Sequence, residues 1–165
     1  MRVGVSLYKT MQKEDLHPVL VKEKEIAYGN LNFHSGKEVA DMMNALFGLG
    51  SLAEEYCYLL ALSTKGRVLA AFLLSKGNIS QTFVNTRDIF IRLLLAGAAA
   101  FVICHNHPSQ EAEPSMTDRR VTEKLERASE LMDVDFLDHI IVCRDGYYSF
   151  RENGWTAGSS KDNPA

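Results

Sequence analysis

Apolar residues recur every three or four positions in three segments of the chain, and each segment carries helix-boundary signals. Ser35 and Glu38 have the spacing of a capping box that starts the first segment, and a glycine follows its last apolar pair. Asn85 or Thr86 is suited to cap the second segment, and Gly97 comes just past its end. The sequence therefore predicts three helices. The first runs from the Ser35 cap to about residue 47, the second from the Asn85 or Thr86 cap to about residue 96, and the third over about 116–132.

Continuous or alternating apolar runs predict the strands. Residues 56–62 and 99–104 are almost continuously apolar, as expected of strands covered on both faces. The first 18 residues are polar and predicted to be irregular, whereas residues 19–26 predict an edge strand whose charges discourage pairing with other chains. Further strands are predicted at 67–74, 79–84, 136–143 and 147–150, the last two as a hairpin. Hairpins mixed with strand–helix–strand crossovers indicate an α/β fold, a mixed β-sheet flanked by helices.

Composition narrows the class of protein. Of 165 residues, 46% are hydrophobic and 24% charged, which is typical of a globular domain and excludes a disordered chain or a coiled-coil rod. The net charge of −3 argues against bulk-charge binding of nucleic acid, so direct nucleic-acid binding is not expected. The three cysteines form no close pair, residues 1–14 contain no apolar core of signal-peptide length, and no apolar run is long enough to span a membrane. We therefore expect a cytoplasmic protein that does not associate with membranes.

Two histidines, His105 and His107, follow a predicted buried strand at the point where it gives way to a loop. Residues i and i+2 of an extended chain point to the same side, so both imidazoles can converge on one atom. Asp118, at the start of the next helix, completes a ligand set that zinc uses in catalytic sites. A purely structural interpretation stays open: the histidines form a turn that binds nothing, and Ser115 and Asp118 form a capping box.

Two further residues near this segment have a structural interpretation. His139 lies between an aspartate and an apolar strand and is interpreted as a core or strand-end histidine, with a role in orienting a metal ligand as the alternative. Cys104 precedes His105 but points the other way on a strand, so it is interpreted as a small core residue and not as a ligand.

The spacing His105-x-His107-Pro108, followed by Ser115-x-x-Asp118 with ten residues between His107 and Asp118, resembles the JAMM (MPN+) metalloprotease motif. The flanking segments 85–90, 98–100 and 137–142 make the chain similar to the bacterial RadC family, once called DNA repair proteins. The similarity covers roughly residues 35–154 and implies the cytidine-deaminase-like JAB/MPN architecture. The chain then divides into an N-terminal extension containing the edge strand (1–34), a RadC-like domain (35–154) and a flexible tail (155–165).

The resemblance implies a function for each residue of the motif. His105, His107 and Asp118 would bind a catalytic Zn²⁺ whose fourth ligand is water. Glu55 would take a proton from this water and later deliver it to the leaving amine, and Ser115 would donate a hydrogen bond to the developing oxyanion. Glu54 is the adjacent alternative to Glu55, which is preferred because a shift of one residue turns the side chain to the opposite face of the sheet.

The activity implied is that of a zinc-dependent JAMM-type metallopeptidase cleaving an amide or isopeptide bond in a protein or peptide substrate. Two alternatives stay open: a non-catalytic MPN-type interaction module, or a DNA-repair-associated protein with a vestigial metal site.

The chain also departs from the pattern of the RadC family in the loop after His107. Many family members have glycine at the position of Gln110, and this chain continues with the acidic residues Glu111 and Glu113. Full-length RadC proteins carry an N-terminal helix-hairpin-helix-like region, and the residues before the similarity are too few for it, so a short form is expected.

Overall fold

In the computed structural model, residues 4–29, 32–77 and 84–155 are described, and these build one mixed sheet and three helices. The helices are α1 (Gly36–Phe47), α2 (Thr86–Leu95) and α3 (Met116–Met132), and a 3-10 turn covers Leu49–Ser51. The strands are β1 (Gly4–Gln12), β2 (Pro18–Ala27), β3 (Tyr56–Leu62), β4 (Val68–Lys76), β5 (Ala100–Asn106), β6 (Asp135–Val142) and β7 (Tyr147–Ser149). Along the sheet they run in the order β2-β1-β4-β3-β5-β6-β7, which confirms the predicted mixed α/β fold.

The central strands β3 and β5 are apolar because both faces of the sheet are covered. One face packs against α1 through Met42 and Met43, and the other packs against α2 and α3 through residues such as Leu93 and Leu125. β5 pairs antiparallel with β3 and parallel with β6, and the crossover between β5 and β6 is α3. Burial of these two apolar faces is the main driving force for the fold, and it places the end of β5 beside the start of α3.

The helix boundaries agree with the predicted caps. The Ser35 hydroxyl accepts a hydrogen bond from the Glu38 backbone N–H at 3.3 Å, and Gly48 closes α1 in the left-handed region. Asn85, and not Thr86, caps α2 by accepting from the backbone N–H of its second helical residue. No helix in the described part of the chain is long and apolar enough to cross a membrane.

The prediction for the first 18 residues is wrong, because Gly4–Gln12 form a strand. β1 pairs antiparallel with β2 and parallel with β4. Val5 and Leu7 pack into the α1-side core while Tyr8 packs on the opposite face near Phe72. The apolar residues of β1 are few and lie on both faces of the sheet. The segment therefore shows no clear alternation of apolar and polar residues from which a strand could be predicted. The edge strand predicted at 19–26 is confirmed as β2.

All but one of the other predicted strands are confirmed by the structure. β4 and the β6–β7 hairpin form where they were predicted, with shifts of one or two residues at their ends. The strand predicted at 79–84 lies mainly outside the described residues, and Val84 itself is not part of a strand.

Gly50 lies where the 3-10 turn touches the turn between β6 and β7. A Cβ atom at this position would lie 2.2 Å from the Cys143 carbonyl oxygen and 2.7 Å from the Arg144 nitrogen, and both are backbone atoms. We expect Gly50→Ala to lower the free energy of unfolding by about 1–3 kcal/mol or more, measured as a lower denaturant midpoint. Gly146→Ala is the control, since the space around Gly146 is open. Equal midpoints for the two variants would contradict this close approach.

Candidate metal centre

The three predicted ligands converge where β5 ends and α3 begins. His105 Nε2 lies 3.0 Å from His107 Nε2 and 3.2 Å from Asp118 Oδ1. His107 Nε2 lies 3.4 Å from Asp118 Oδ2. Tetrahedral zinc with bonds of about 2.0–2.1 Å separates its ligand atoms by about 3.3 Å, so these spacings suit a single ion.

The imidazole of His107 is held by the backbone of its own loop. Its Nδ1 lies 2.7 Å from the carbonyl oxygen of Glu111, and a carbonyl can only accept a hydrogen bond. The neutral ring therefore carries its proton on Nδ1 and presents the lone pair of Nε2 to His105 and Asp118. This is the tautomer that a metal ligand needs.

A buried chain of hydrogen bonds fixes the other imidazole in the same way. The Thr122 hydroxyl donates to the backbone carbonyl of Asp118 at 2.8 Å, so it accepts from His139 Nδ1 at 2.7 Å. His139 Nε2 is then an acceptor, and it lies 2.8 Å from His105 Nδ1, which must donate. His105 Nε2 is left with a lone pair directed at His107. Two such lone pairs 3.0 Å apart repel each other unless a proton or a cation lies between them.

His139 therefore does what the sequence left as the alternative: it orients His105, which is one of the predicted metal ligands. It is close enough to His105 and Asp118 to form a metal-binding group with them, but its Nε2 is already committed to His105. Burial, together with the neighbouring His105, lowers the pKa of His139 well below its ordinary value and keeps the ring neutral. Its ring also stacks on Phe150, with ring centroids 4.8 Å apart.

Asp118 forms the predicted capping box and also faces the two predicted histidine ligands. The capping box with Ser115 is reciprocal. Burial opposes its charge, but the His105 and His107 rings, which donate to the carboxylate when they are protonated, and the Ser115 hydroxyl outweigh this and hold the pKa of Asp118 far below its ordinary range. The Ser115 N–H and hydroxyl both donate to Oδ2, at 2.7 and 2.6 Å, while Oδ1 faces His105.

The structure also separates the two candidate general bases. Glu55 Oε1 lies 3.7 Å from His105 Nε2, and its side chain is 20% exposed. The Glu54 side chain is 59% exposed and lies 3.6 Å from the Lys76 ammonium. Only Glu55 shares the cleft of about 280 Å³ whose other lining residues are His107, Pro108, Ser109, Ser115, Thr117 and Asp118. A larger cavity of about 470 Å³ between α1 and the sheet contains none of the five predicted site residues, so we assign the site to the smaller cleft.

Asn106 is a residue beside the site whose role the sequence reasoning missed. Its fully buried amide accepts from the Tyr56 N–H at 2.7 Å and donates to the carbonyls of Leu52 and Glu54 at 3.3 and 3.0 Å. These bonds hold the segment that carries Glu55 against the strand that carries His105. The available signal was a polar residue between the two histidines at the end of an apolar strand, where burial demands partners.

The fold and this site define a class: a mixed α/β domain with a donor group suited to a divalent metal ion. A family model described as "RadC-like JAB domain" matches residues 33–155, and the chain belongs to this family.

Curated relatives carry the name "UPF0758 protein", which states no activity. The relative from Flavobacterium johnsoniae is 38% identical over 120 residues, which is 73% of this chain and 52% of the relative. The relative from Shewanella piezotolerans is 43% identical over 107 residues, 65% of this chain and 48% of the relative. The chain thus spans about half the length of the curated relatives it matches.

We expect His139→Leu to weaken metal binding about 10–100-fold, because His105 loses the acceptor that fixes its tautomer. His139→Gln is the matched variant, since its amide can accept from His105 and donate to Thr122, and it should retain more of the affinity. Competition with a chromophoric chelator measures both constants. Equal losses in the two variants would show that ring packing, and not the hydrogen bonds, is what matters.

Metal binding should also depend on pH through His107. Burial would lower the pKa of His107, but hydrogen bonds with Asp118 and the Glu111 carbonyl outweigh this and raise it above its ordinary value of 6.5. In the metal-free protein, protonated His107 stabilises the fold at low pH, and this contribution is lost as the pH rises through the raised pKa. A metal must displace that proton, so its apparent affinity should rise about tenfold per pH unit up to the raised pKa and then level off.

Chelator competition between about pH 5.5 and 8.5 measures this profile. His17→Ala is the control, because His17 lies exposed in the β1–β2 turn and contacts Asp15 instead of the site. A flat profile across the whole range would contradict the assignment of His107 as a ligand.

Proposed function

We propose that this chain is a zinc-dependent metallohydrolase of the JAMM type that cleaves an amide or isopeptide bond in a protein or peptide substrate. The observation that carries the proposal is the convergence of two imidazole lone pairs and the Asp118 carboxylate on one point, with Glu55 beside them in the cleft. None of these donors is replaced in this chain, so a non-catalytic interaction module is not favoured. The three free, buried cysteines fit a reducing compartment, and we propose the cytoplasm.

The donor set suits zinc better than a hard cation such as magnesium. His105 and His107 would bind through Nε2 and Asp118 through a carboxylate oxygen, and two imidazoles with one carboxylate are a set that zinc uses in catalytic sites. When bound, zinc would acidify a water molecule and polarise the carbonyl of the scissile bond. The protein already holds both rings in the tautomers required for this, so little reorganisation is needed on binding.

Glu55 is proposed to move the proton of the reaction. Its carboxylate lies at the wall of the cleft and is partly exposed, so a water molecule can reach it. In the proposed step, Glu55 takes a proton from the water as the oxygen adds to the carbonyl carbon. When the carbon–nitrogen bond breaks, the same carboxyl group returns that proton to the leaving nitrogen.

Ser115 is proposed to stabilise the oxyanion, and its hydrogen bonds make this physically feasible. Its hydroxyl donates to Asp118 Oδ2, but the Ser115 backbone N–H donates to the same oxygen at 2.7 Å. If the hydroxyl turns towards a substrate oxygen, Asp118 keeps the backbone hydrogen bond. The hydroxyl can therefore be shared between the resting site and the developing negative charge.

We expect Glu55→Gln to lower hydrolysis about 10²–10⁴-fold while metal affinity stays close to that of the wild type, because an amide cannot take up the proton. Glu54→Gln, at the exposed neighbouring position, is the matched control and should retain full activity. The zinc-loaded proteins are incubated with peptides and isopeptide-linked conjugates prepared from cell extract, and newly released amines, at amino termini and at lysine side chains, are counted by mass spectrometry. The proposal fails if Glu55→Gln and the wild type release the same amines, or if the wild type releases none.

A further inference from the structure

We propose that Gln110 is a positioning residue: its side chain fastens the loop carrying His107 to two neighbouring turns and thereby holds the His107 imidazole in the metal-binding tautomer. The inference rests on the proposed function only in treating His107 as a metal ligand. It concerns a residue outside the predicted site, at the position where the chain departs from the glycine that the family often has.

Both ends of the Gln110 amide bind the backbone of other segments. Its Nε2 donates to the Gly50 carbonyl at 3.0 Å, and its Oε1 accepts from the Arg144 N–H at 2.8 Å. The orientation of the amide is unambiguous, because a carbonyl only accepts and a backbone N–H only donates. Gln110 therefore joins the loop that carries His107 to the 3-10 turn after α1 and to the turn between β6 and β7.

The two turns that receive Gln110 are themselves fixed to α1. The Asn44 side chain accepts from the Gly50 N–H at 2.7 Å and donates to the Cys143 carbonyl at 3.1 Å. Gly50 also lies too close to the Cys143 backbone to accommodate a Cβ atom. The Gln110 side chain is consequently attached to two turns that are themselves hydrogen-bonded to α1.

The hydrogen bonds of the Gln110 side chain affect His107 through the backbone of residues 110 and 111. The Gln110 N–H donates to the His107 carbonyl at 2.9 Å, and the next residue, Glu111, provides the carbonyl that accepts from His107 Nδ1 at 2.7 Å. The position of this carbonyl depends on the backbone of Gln110. That backbone has φ 65°, a left-handed conformation that glycine and asparagine adopt more readily than glutamine. The two side-chain hydrogen bonds offset this disfavoured backbone.

Two variants separate the side-chain hydrogen bonds from the backbone conformation. Gln110→Met keeps the length of the side chain and the left-handed backbone but removes both hydrogen bonds. Gln110→Gly removes the hydrogen bonds and also relieves the backbone. Leu16→Gly is the matched control for that relief, because Leu16 has φ 66° and lies exposed in the β1–β2 turn.

The first measurement uses the metal-free protein at a pH well above the His107 pKa, where ¹⁵N shifts of the imidazole report its tautomer. We expect the wild type and Leu16→Gly to carry the proton on Nδ1, and Gln110→Met and Gln110→Gly to populate the Nε2-protonated form. The second measurement is Co²⁺ affinity by absorption titration. We expect both Gln110 variants to bind Co²⁺ about tenfold or more weakly, and the control to bind like the wild type.

The inference is overturned if both Gln110 variants keep the Nδ1 proton and bind Co²⁺ within about twofold of the wild type. It is also overturned if only Gln110→Gly differs, since that result assigns the effect to the backbone. Failure of the proposed function has a different signature: a wild type that binds Co²⁺ without hydrolysing peptides, or binds none. In either case the tautomer comparison still decides the role of Gln110.

Discussion

At the end of β5 the apolar strand gives way to a histidine, an asparagine and a histidine, and the first two are almost completely buried. Buried polar groups need hydrogen-bond partners, and the surrounding structure supplies one for each. Asn106 binds the backbone of the segment that carries Glu55, and His105 binds His139, which in turn binds Thr122 on α3. The hydrogen bonds made by the buried polar groups of this short segment therefore fix the relative positions of β3, α3 and β6 around the cleft.

The same hydrogen bonds leave the inner side of the site in need of a cation. Both imidazole protons are directed outwards, to His139 and to the Glu111 carbonyl, so the two Nε2 lone pairs face each other beside Asp118. In the metal-free protein a proton on His107 meets this need. Against the effect of burial, hydrogen bonding between Asp118 and the histidines raises the pKa of His107 and lowers that of Asp118. A divalent ion satisfies the same lone pairs with two charges in place of one, so proton and metal compete for one position.

Much of this arrangement could be predicted from the sequence because it depends on short-range pattern. Helix caps marked α1, α2 and α3, and the period of two in a strand predicted that His105 and His107 converge. The segment Gly4–Gln12 could not be predicted, because Val5 and Leu7 are too few to define a face before the partner strand is known. Asn106 and Gln110 could not be assigned either, since their partners lie 34 to 60 residues away along the chain. The sequence offers the capping box and the metal ligand as alternatives, whereas one Asp118 carboxylate both completes the cap and faces the two histidines.

Four residues of the site are each restrained by a different interaction. Glu55 is held through Asn106, Asp118 through the Ser115 cap, His105 through His139, and the His107 loop is tied down by Gln110. A ligand on a loop is generally placed less accurately than one on a strand or helix, and His107 is the one predicted ligand that follows the end of its strand. The hydrogen bonds of Gln110 therefore restrain the His107 loop, which is the part of the site that the strands and helices restrain least.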